Sequence, residues 1–361
     1  MADAVAQSAE CSHAKSAENA TSVYNSTRMP SIRVVHFGLG PIGAAVAQDL
    51  AVRPGFKIVG GIDSDPAKVG RDIGDVAGLK GRIGLRVEKD ASKLKKMKPD
   101  VVVLCTTSSM KSVMPQLEAI LKARVPVVST TEELAYPTYT NVRHAAKIDK
   151  WAKKAKVAVL GTGVNPGFVM DSLPVALTAA CQRVDRVSVT RVQDARNRRL
   201  PFQQKIGAGL TTEQFQKRVE EGSIKHVGFT ESIAMIADSL GWTLDRISDT
   251  VEAKIAQVTI SSEYLAVDPG YVCGIVQEGI GYRKKEPVIR LYMEAYLGAP
   301  ETYDAIEIDG SPRISLKIAG GVHGDTATAA IVANSISKVI QAPPGLQTML
   351  DMPLPSYFPG V

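Results

Sequence analysis

The stretch VVHFGLGPIGAAVA, residues Val34 to Ala47, joins a β-branched run to a string of small residues with helical spacing. Gly38, Gly40 and Gly43 stand within it in Gly-x-Gly-x-x-Gly order. That motif is weak alone and gains meaning from context. A strand pattern precedes it, a helix pattern follows, and the next strand pattern, KIVGGID, ends at Asp63, 20 residues after Gly43. In such a unit the first glycine permits a tight turn. The second lets backbone approach a pyrophosphate, and the third lets helix pack on strand. The unpaired N–H groups at the start of the helix attract phosphate. The loop Gly38, Leu39, Gly40, Pro41, Ile42 and Gly43 is therefore expected to hold a dinucleotide. Asp63, with Ser64 beside it, is placed to accept from a ribose 2′-hydroxyl, which favours NAD. Lys68 and Arg71 follow, as partners for a 2′-phosphate or as solvated surface, so NAD and NADP both stay open.

Working outward from this loop, strand patterns (LRVEK, DVVVLCT, VPVVST, KVAVLGT) continue as far as Thr162, with the helical stretches SMKSVMPQLEAILKA and YTNVRHAAKIDKWAKKA between the later ones. This rhythm predicts an α/β fold whose N-terminal part is a Rossmann-type doubly wound parallel sheet. After about Val184 long β-type runs follow one another, from VDRVSVTRVQDA to RISLKIAG, with the helical stretches TTEQFQKRVEEG and ESIAMIADSLG inserted early. They predict a C-terminal α+β domain with a mostly antiparallel sheet, one face covered. The expected division is residues 1–30 as a disordered extension poor in large apolar residues, 31–165 as the dinucleotide-binding domain, and 166–320 as the substrate and dimerisation domain. Residues 321–361 are expected to form a helix and tail that pack back on the first domain.

Composition excludes several classes. The 361 residues are 45% hydrophobic, enough for a sizeable core, and the formal net charge is +6. The basic runs KLKKMK and RNRR carry no interleaved aromatics, so no nucleic-acid partner is expected. No apolar run reaches the length of a membrane span. The four cysteines form no Cys-x-x-Cys pair and the five histidines show no ligand spacing, so neither a metal nor a disulfide framework is expected. A reducing, cytoplasmic compartment fits free thiols. The N-terminus has no apolar core of a secretory signal.

In a doubly wound sheet, ligands bind outside the carboxyl ends of the strands. Three segments fall there. CTTSS brings Thr106 and Thr107 beside the nicotinamide half of a cofactor, with Ser108 as a possible helix cap. VVSTTEELAYP brings Glu132 and Glu133, whose side chains diverge, so at most one faces the crevice. Either they cap a helix or one of them moves protons. LGTGVNPGFVMDSLP brings a rigid polar turn entering a helix at Phe168. Here Asn165 could orient a carboxamide or nucleophile, and Phe168 and Met170 supply apolar wall or core. Arg196, Arg198 and Arg199 of RNRR offer a carboxylate clamp or a solvated surface. Tyr264 and Tyr271 are either pocket or packing residues, and His226 is substrate wall or a structural histidine.

The blocks GLGPIG, VPVVSTTEELAYP, VLGTGVNPGFVMDSLP, RVQDARNRRLPFQQKIGAGLTTEQF and HVGFTESIAMIADSLGW, taken together, resemble the 2,4-diaminopentanoate dehydrogenase and native amine dehydrogenase group. Its first domain is similar to that of dihydrodipicolinate reductase. The resemblance runs from about Ile32 to DMPLP near the end. A dihydrodipicolinate reductase proper is not matched, because its paired-histidine segment is absent. What the resemblance implies is reversible, NAD(P)-dependent reductive amination of a small carbonyl compound with ammonia. It also implies Glu132 as acid/base, Glu133 as a structural residue, Phe168 on the amine pocket, and a homodimer. Tyr136, Met170 and Tyr264 are further expected pocket residues. A base in an apolar pocket suits that chemistry, because desolvation disfavours the ionised form of a glutamate there. A small apolar substrate is expected over a diamino acid, since no dedicated carboxylate clamp stands out. A catalytically silent dinucleotide sensor is the alternative of another class.

Overall fold

A computed structural model describes residues 31–359; the extension expected at residues 1–30 lies outside the described residues. Six strands open the chain: β1 (Ile32–Phe37), β2 (Phe56–Ile62), β3 (Val87–Glu88), β4 (Val101–Leu104), β5 (Val127–Ser129) and β6 (Ala158–Gly161). The helices α1 (Pro41–Ala51), α2 (Ile73–Ala77), α3 (Leu94–Met97), α4 (Met110–Lys122) and α5 (Val142–Ala155) connect them. Then come α6 (Ser172–Thr178), β7 (Arg183–Asp194), α7 (Leu200–Lys205), α8 (Thr212–Glu220), α9 (Phe229–Ser239), β8 (Arg246–Ile255), β9 (Ile260–Ser261) and β10 (Ala266–Val267). The chain ends with β11 (Val272–Arg283), β12 (Glu286–Tyr296), β13 (Tyr303–Ser311), β14 (Ile314–Ala319), α10 (Gly324–Gln341) and β15 (Gly345–Gln347).

The first sheet is parallel, in the order β15-β6-β5-β4-β1-β2-β3. Its strands are apolar on both faces, as a sheet covered twice requires. Val101 and Val103 of β4 join a core with Val46 and Leu50 of α1 and with Val332 and Ile336 of α10. Val102 and Leu104 point the other way, into a core with Leu117 and Ile120 of α4 and Ile148 of α5. The order reverses between β1 and β4, which opens a crevice at their carboxyl ends.

The second sheet runs β14-β13-β7-β12-β11-β8. Every pairing is antiparallel except β12 with β7, so the sheet is mixed. Ile289, Leu291 and Met293 of β12 face a core with Phe229, Ile233 and Ile236 of α9. The glycines of β11 let α9 come close: a β-carbon on Gly279 would stand 2.9 Å from Ile233 and 3.0 Å from Phe229. Arg290, Tyr292 and Glu294 alternate with the core residues and are half-buried on the other face.

Two details depart from the sequence expectation. The helix expected at Phe168 starts at Ser172, because Asp171 caps it and residues 166–170 form the turn before it. The short α2 and α7 and the edge strand β15 have no strong pattern of their own and go unpredicted from the sequence. β15 pairs with β6, so the C-terminal segment extends the first sheet.

Candidate active site

The glycine loop is built as its spacing requires. Gly38 has φ +93, and a β-carbon there would collide with the Cys105 carbonyl. One on Gly43 would collide with the Gly38 carbonyl oxygen. Around Gly40, in contrast, nothing lies within 4 Å of the β-carbon direction, so a phosphate can approach. Gly40 is the N-cap of α1, with no side chain on the helix N–H groups. Leu39 is buried by its side chain, and its N–H donates to Asp63 Oδ2 at 2.8 Å. Lys68 Nζ donates to the same oxygen at 3.1 Å, and the Asp65 N–H donates to Oδ1 at 2.9 Å. Burial opposes the charge on Asp63, but these donors outweigh it and hold its carboxyl below the usual range. Lys68 is therefore engaged with Asp63 and Asp65, while Ser64 is exposed beside them. The open cradle, the free helix N–H groups and the acid at the end of β2 fit a dinucleotide.

A cleft of about 450 Å³ begins at this loop. Gly40, Pro41 and Ile42 line it, with Thr106 and Thr107 after β4, Glu132 after β5 and Asn165 after β6. All of these leave carboxyl ends of the first sheet. Glu132 lies close enough to Cys105 that, behind burial, its charge contributes to pushing that thiol up to about 12. Glu133 turns elsewhere. Its Oε2 accepts from the Met110 N–H at 2.6 Å, so it caps α4 rather than its own turn. Ser108 is not the cap of α4; that position is Ser109.

The rest of the lining comes from β7, β11 and β12 of the second sheet, from α7 and the turns flanking it, from the turn before α9, and from α10. Arg191, Arg198, Arg199, Lys205 and Lys225 supply five cations; Glu132 and Asp325 are the carboxylates. Arg198 is 7% exposed, stands over the Phe202 ring at 4.1 Å from its centroid, and donates to Asp325 Oδ1 at 2.9 Å and to Gln193 at 3.2 Å. Arg199 donates to the other Asp325 oxygen at 3.2 Å. Arg191, 2% exposed, donates to the Val322 carbonyl and stands 3.6 Å from Asp304. Arg191 Nη1 and Arg198 Nε are buried without a partner. Arg196 pairs with Asp194 instead and does not line the cleft.

Several expected pocket residues lie outside the lining. Met170 is fully buried, and its sulfur accepts from Asn165 Nδ2 at 3.0 Å. Phe168, carried by the turn before α6, packs against the core of the second sheet. Tyr136 is buried, and its hydroxyl donates to Asp238 at 2.7 Å. Tyr264 is 47% exposed in the loop between β9 and β10. The cleft's wall is also more basic than the apolar pocket expected. The sequence reading missed Arg191, Gln193, Lys205, Lys225 and Asp325 as wall residues. Asp325 sits in the first turn of α10, where an acid reads as a helix-dipole partner.

Over 340 residues the chain is 34% identical to the 2,4-diaminopentanoate dehydrogenase of Acetoanaerobium sticklandii, covering 92% of this chain and 96% of that protein. It belongs to the 2,4-diaminopentanoate dehydrogenase family. A sequence model of the 2,4-diaminopentanoate dehydrogenase C-terminal domain matches residues 168–360, and one of the dihydrodipicolinate reductase N-terminus matches residues 32–161. An amine dehydrogenase of Streptomyces virginiae is 24% identical over 352 residues, covering 90% of this chain and 96% of that protein. The solved structure of an amine dehydrogenase from Mycobacterium smegmatis superposes with a TM-score of 0.82 at 26% identity, covering 92% of this chain and 99% of that one. This family member is thus an NAD(P)-dependent oxidoreductase acting on amines. No helix among the described residues is long and apolar enough to cross a membrane.

Proposed function

We propose that the enzyme interconverts a carboxylate-bearing amine, water and NAD(P)+ with the corresponding ketone, ammonia, NAD(P)H and a proton, using Glu132 as acid/base. The observation that carries this is the basic wall facing the same cleft as Glu132 and the glycine loop. Arg191 Nη1 and Arg198 Nε, buried and unpartnered there, are donors in search of an anion. The Acetoanaerobium sticklandii relative, named for a diamino acid substrate, supports the same choice. The expectation of a small apolar substrate rested on the lack of a carboxylate clamp. Arg191 and Arg198, both in the cleft lining, supply one in this reading.

Gly38 to Gly43, Asp63, Thr106 and Thr107 are the residues that would hold NAD or NADP, which supplies or accepts the hydride when bound. Glu132 takes the proton of the water attacking the imine carbon and returns a proton to the departing ammonia nitrogen. Once ionised, it also stabilises the cationic imine. Glu133, tied to α4, keeps the Glu132 turn in place. A homodimer belongs to the same reading, as the family resemblance implies. The three cysteines among the described residues are free, in keeping with a cytoplasmic setting.

The test follows the absorbance of NADH and NADPH with ammonium and either 2-amino-4-oxopentanoate or isobutyraldehyde. A higher kcat/KM for the carboxylated ketone supports the proposal. Preference for isobutyraldehyde returns the substrate to the small apolar class. No ammonia-dependent oxidation with either class overturns the reading.

A further inference from the structure

His226, from the turn before α9, lines the cleft next to Asn165. Its ring Nδ1 lies 2.9 Å from the Val227 carbonyl oxygen, which can only accept. Nδ1 therefore carries the proton. Burial, aided by Lys205 and Arg191, lowers the ring to about 3, so it is neutral and Nε2 is a bare acceptor. Asn165 stands 3.0 Å from Nε2 and must present its NH2 group there. The other amide hydrogen goes to the Met170 sulfur at 3.0 Å. Both donors of Asn165 are thus consumed inside the protein. Its Oδ1 is buried and has no partner.

The surroundings fix this pair. The His226 backbone is clamped from both sides by Gln277, which accepts from its N–H at 2.7 Å and donates to its carbonyl at 2.9 Å. Gln277 is anchored in turn on Asp249 at 2.9 Å. Gly228, at φ +113, lets Pro166 pack directly against the histidine turn. The Val164 N–H donates to Thr328 of α10 at 3.2 Å. A buried amide oxygen without a partner carries the cost of its lost hydration. It is recovered only when an occupant donates to it.

We propose that His226 is a positioning residue that locks the Asn165 amide so that only Oδ1 remains, to accept a hydrogen bond from an N–H donor bound in the cleft. Two such donors belong to the proposed reaction, on which this inference rests to that extent: the reacting amine or ammonia, and the nicotinamide carboxamide. Acting through Asn165, His226 touches neither. A charged or protonated ring at this place would turn the amide and offer the occupant NH2 instead.

The experiment is a double-mutant cycle of Asn165→Leu and His226→Phe, read by two measurements. One is the KM for ammonium at saturating ketone and NAD(P)H. The other is fluorescence titration with NADH and with its reduced 3-acetylpyridine analogue, which lacks the carboxamide N–H. Asn165→Leu is expected to weaken one of these by tenfold or more. A rise confined to ammonium KM assigns Oδ1 to the amine; lost discrimination between NADH and the analogue assigns it to the carboxamide. His226→Phe should weaken the same quantity, and the double variant should be no worse than Asn165→Leu alone. His226→Glu, an acceptor only, should restore it. Additive effects, or variants that change thermal stability while both measurements hold, overturn the inference. If His226→Phe does not fold, His226→Asn replaces it, since it leaves no acceptor at the Nε2 place. A wild-type enzyme without ammonia-dependent turnover would sink the proposed function, and the NADH titration would still decide this one.

Discussion

The two walls of the cleft are built on different plans. The cofactor wall is local: Gly38 to Gly43 is one turn, and Asp63 lies at the end of the adjacent strand. The basic wall is assembled from distant parts. Arg198 meets Asp325 across 127 residues, and Arg191 meets Val322 across 131. A contiguous wall is set by backbone conformation, so glycine is its currency. A dispersed wall is set by packing and charge compensation, and no one segment carries its mark.

Glu132→Gln is the sharpest way to separate chemistry from either wall. It should lower kcat/KM by about 100- to 10,000-fold, the usual worth of a positioned acid/base, while the affinity for NADH holds. An unchanged rate with Glu133→Gln inactive would reverse the assignment of the pair. Gly43→Ala attacks the local wall. Its methyl collides with backbone, so it should cost about 1–3 kcal/mol of stability along with cofactor binding. Gly40→Ala has room for the methyl and should lose cofactor affinity with the thermal midpoint retained. Equal thermal losses from the two would break the distinction between packing glycine and approach glycine.

Arg198→Met tests the dispersed wall. Loss of a charge-assisted hydrogen bond is worth about 1.5–3 kcal/mol, so KM for a carboxylated ketone should rise about ten- to hundredfold, with NADH titration unaltered. A weaker cofactor and an unmoved KM would place this arginine on the wrong wall. Stability against pH then compares the buried histidine of the first sheet with the second half. His36 is fully buried with both ring nitrogens unpartnered, and burial lowers it from 6.5 to about 4. The unfolded chain takes up a proton below 6.5 and the folded one only near 4, so stability falls as pH drops through that window. His36→Leu should flatten the urea-derived slope between those values by about 1.4 kcal/mol per pH unit. Glu133→Gln comes last. Removing a charged cap from α4 should cost about 0.5–1 kcal/mol by the same denaturation, with kcat little changed.

The legibility of the sequence follows the same division. The glycine spacing, Asp63 and the alternation of strand and helix made the first sheet readable, since parallel strands buried on both faces show as continuous apolar runs. Glu132 and Asn165 were readable as crevice residues from strand order. Phe168 and Met170 were misplaced because Asp171, accepting from the Gly167 N–H and the Ser232 hydroxyl, holds residues 166–170 as a turn. RNRR showed its charges and not their uses: Arg196 pairs locally, while Arg198 and Arg199 share an aspartate that only the fold brings near.

The return of the C-terminal segment sets the timing of assembly. α10 completes the core beneath β1 and β4, and β15 closes the outer edge of their sheet beside β6. The nucleotide-binding half thus lacks one helix layer and one edge strand until the C-terminal segment joins it, although its signature motif emerges first. It waits for the last forty or so residues, and an excised fragment ending at residue 165 would expose an apolar face to aggregation.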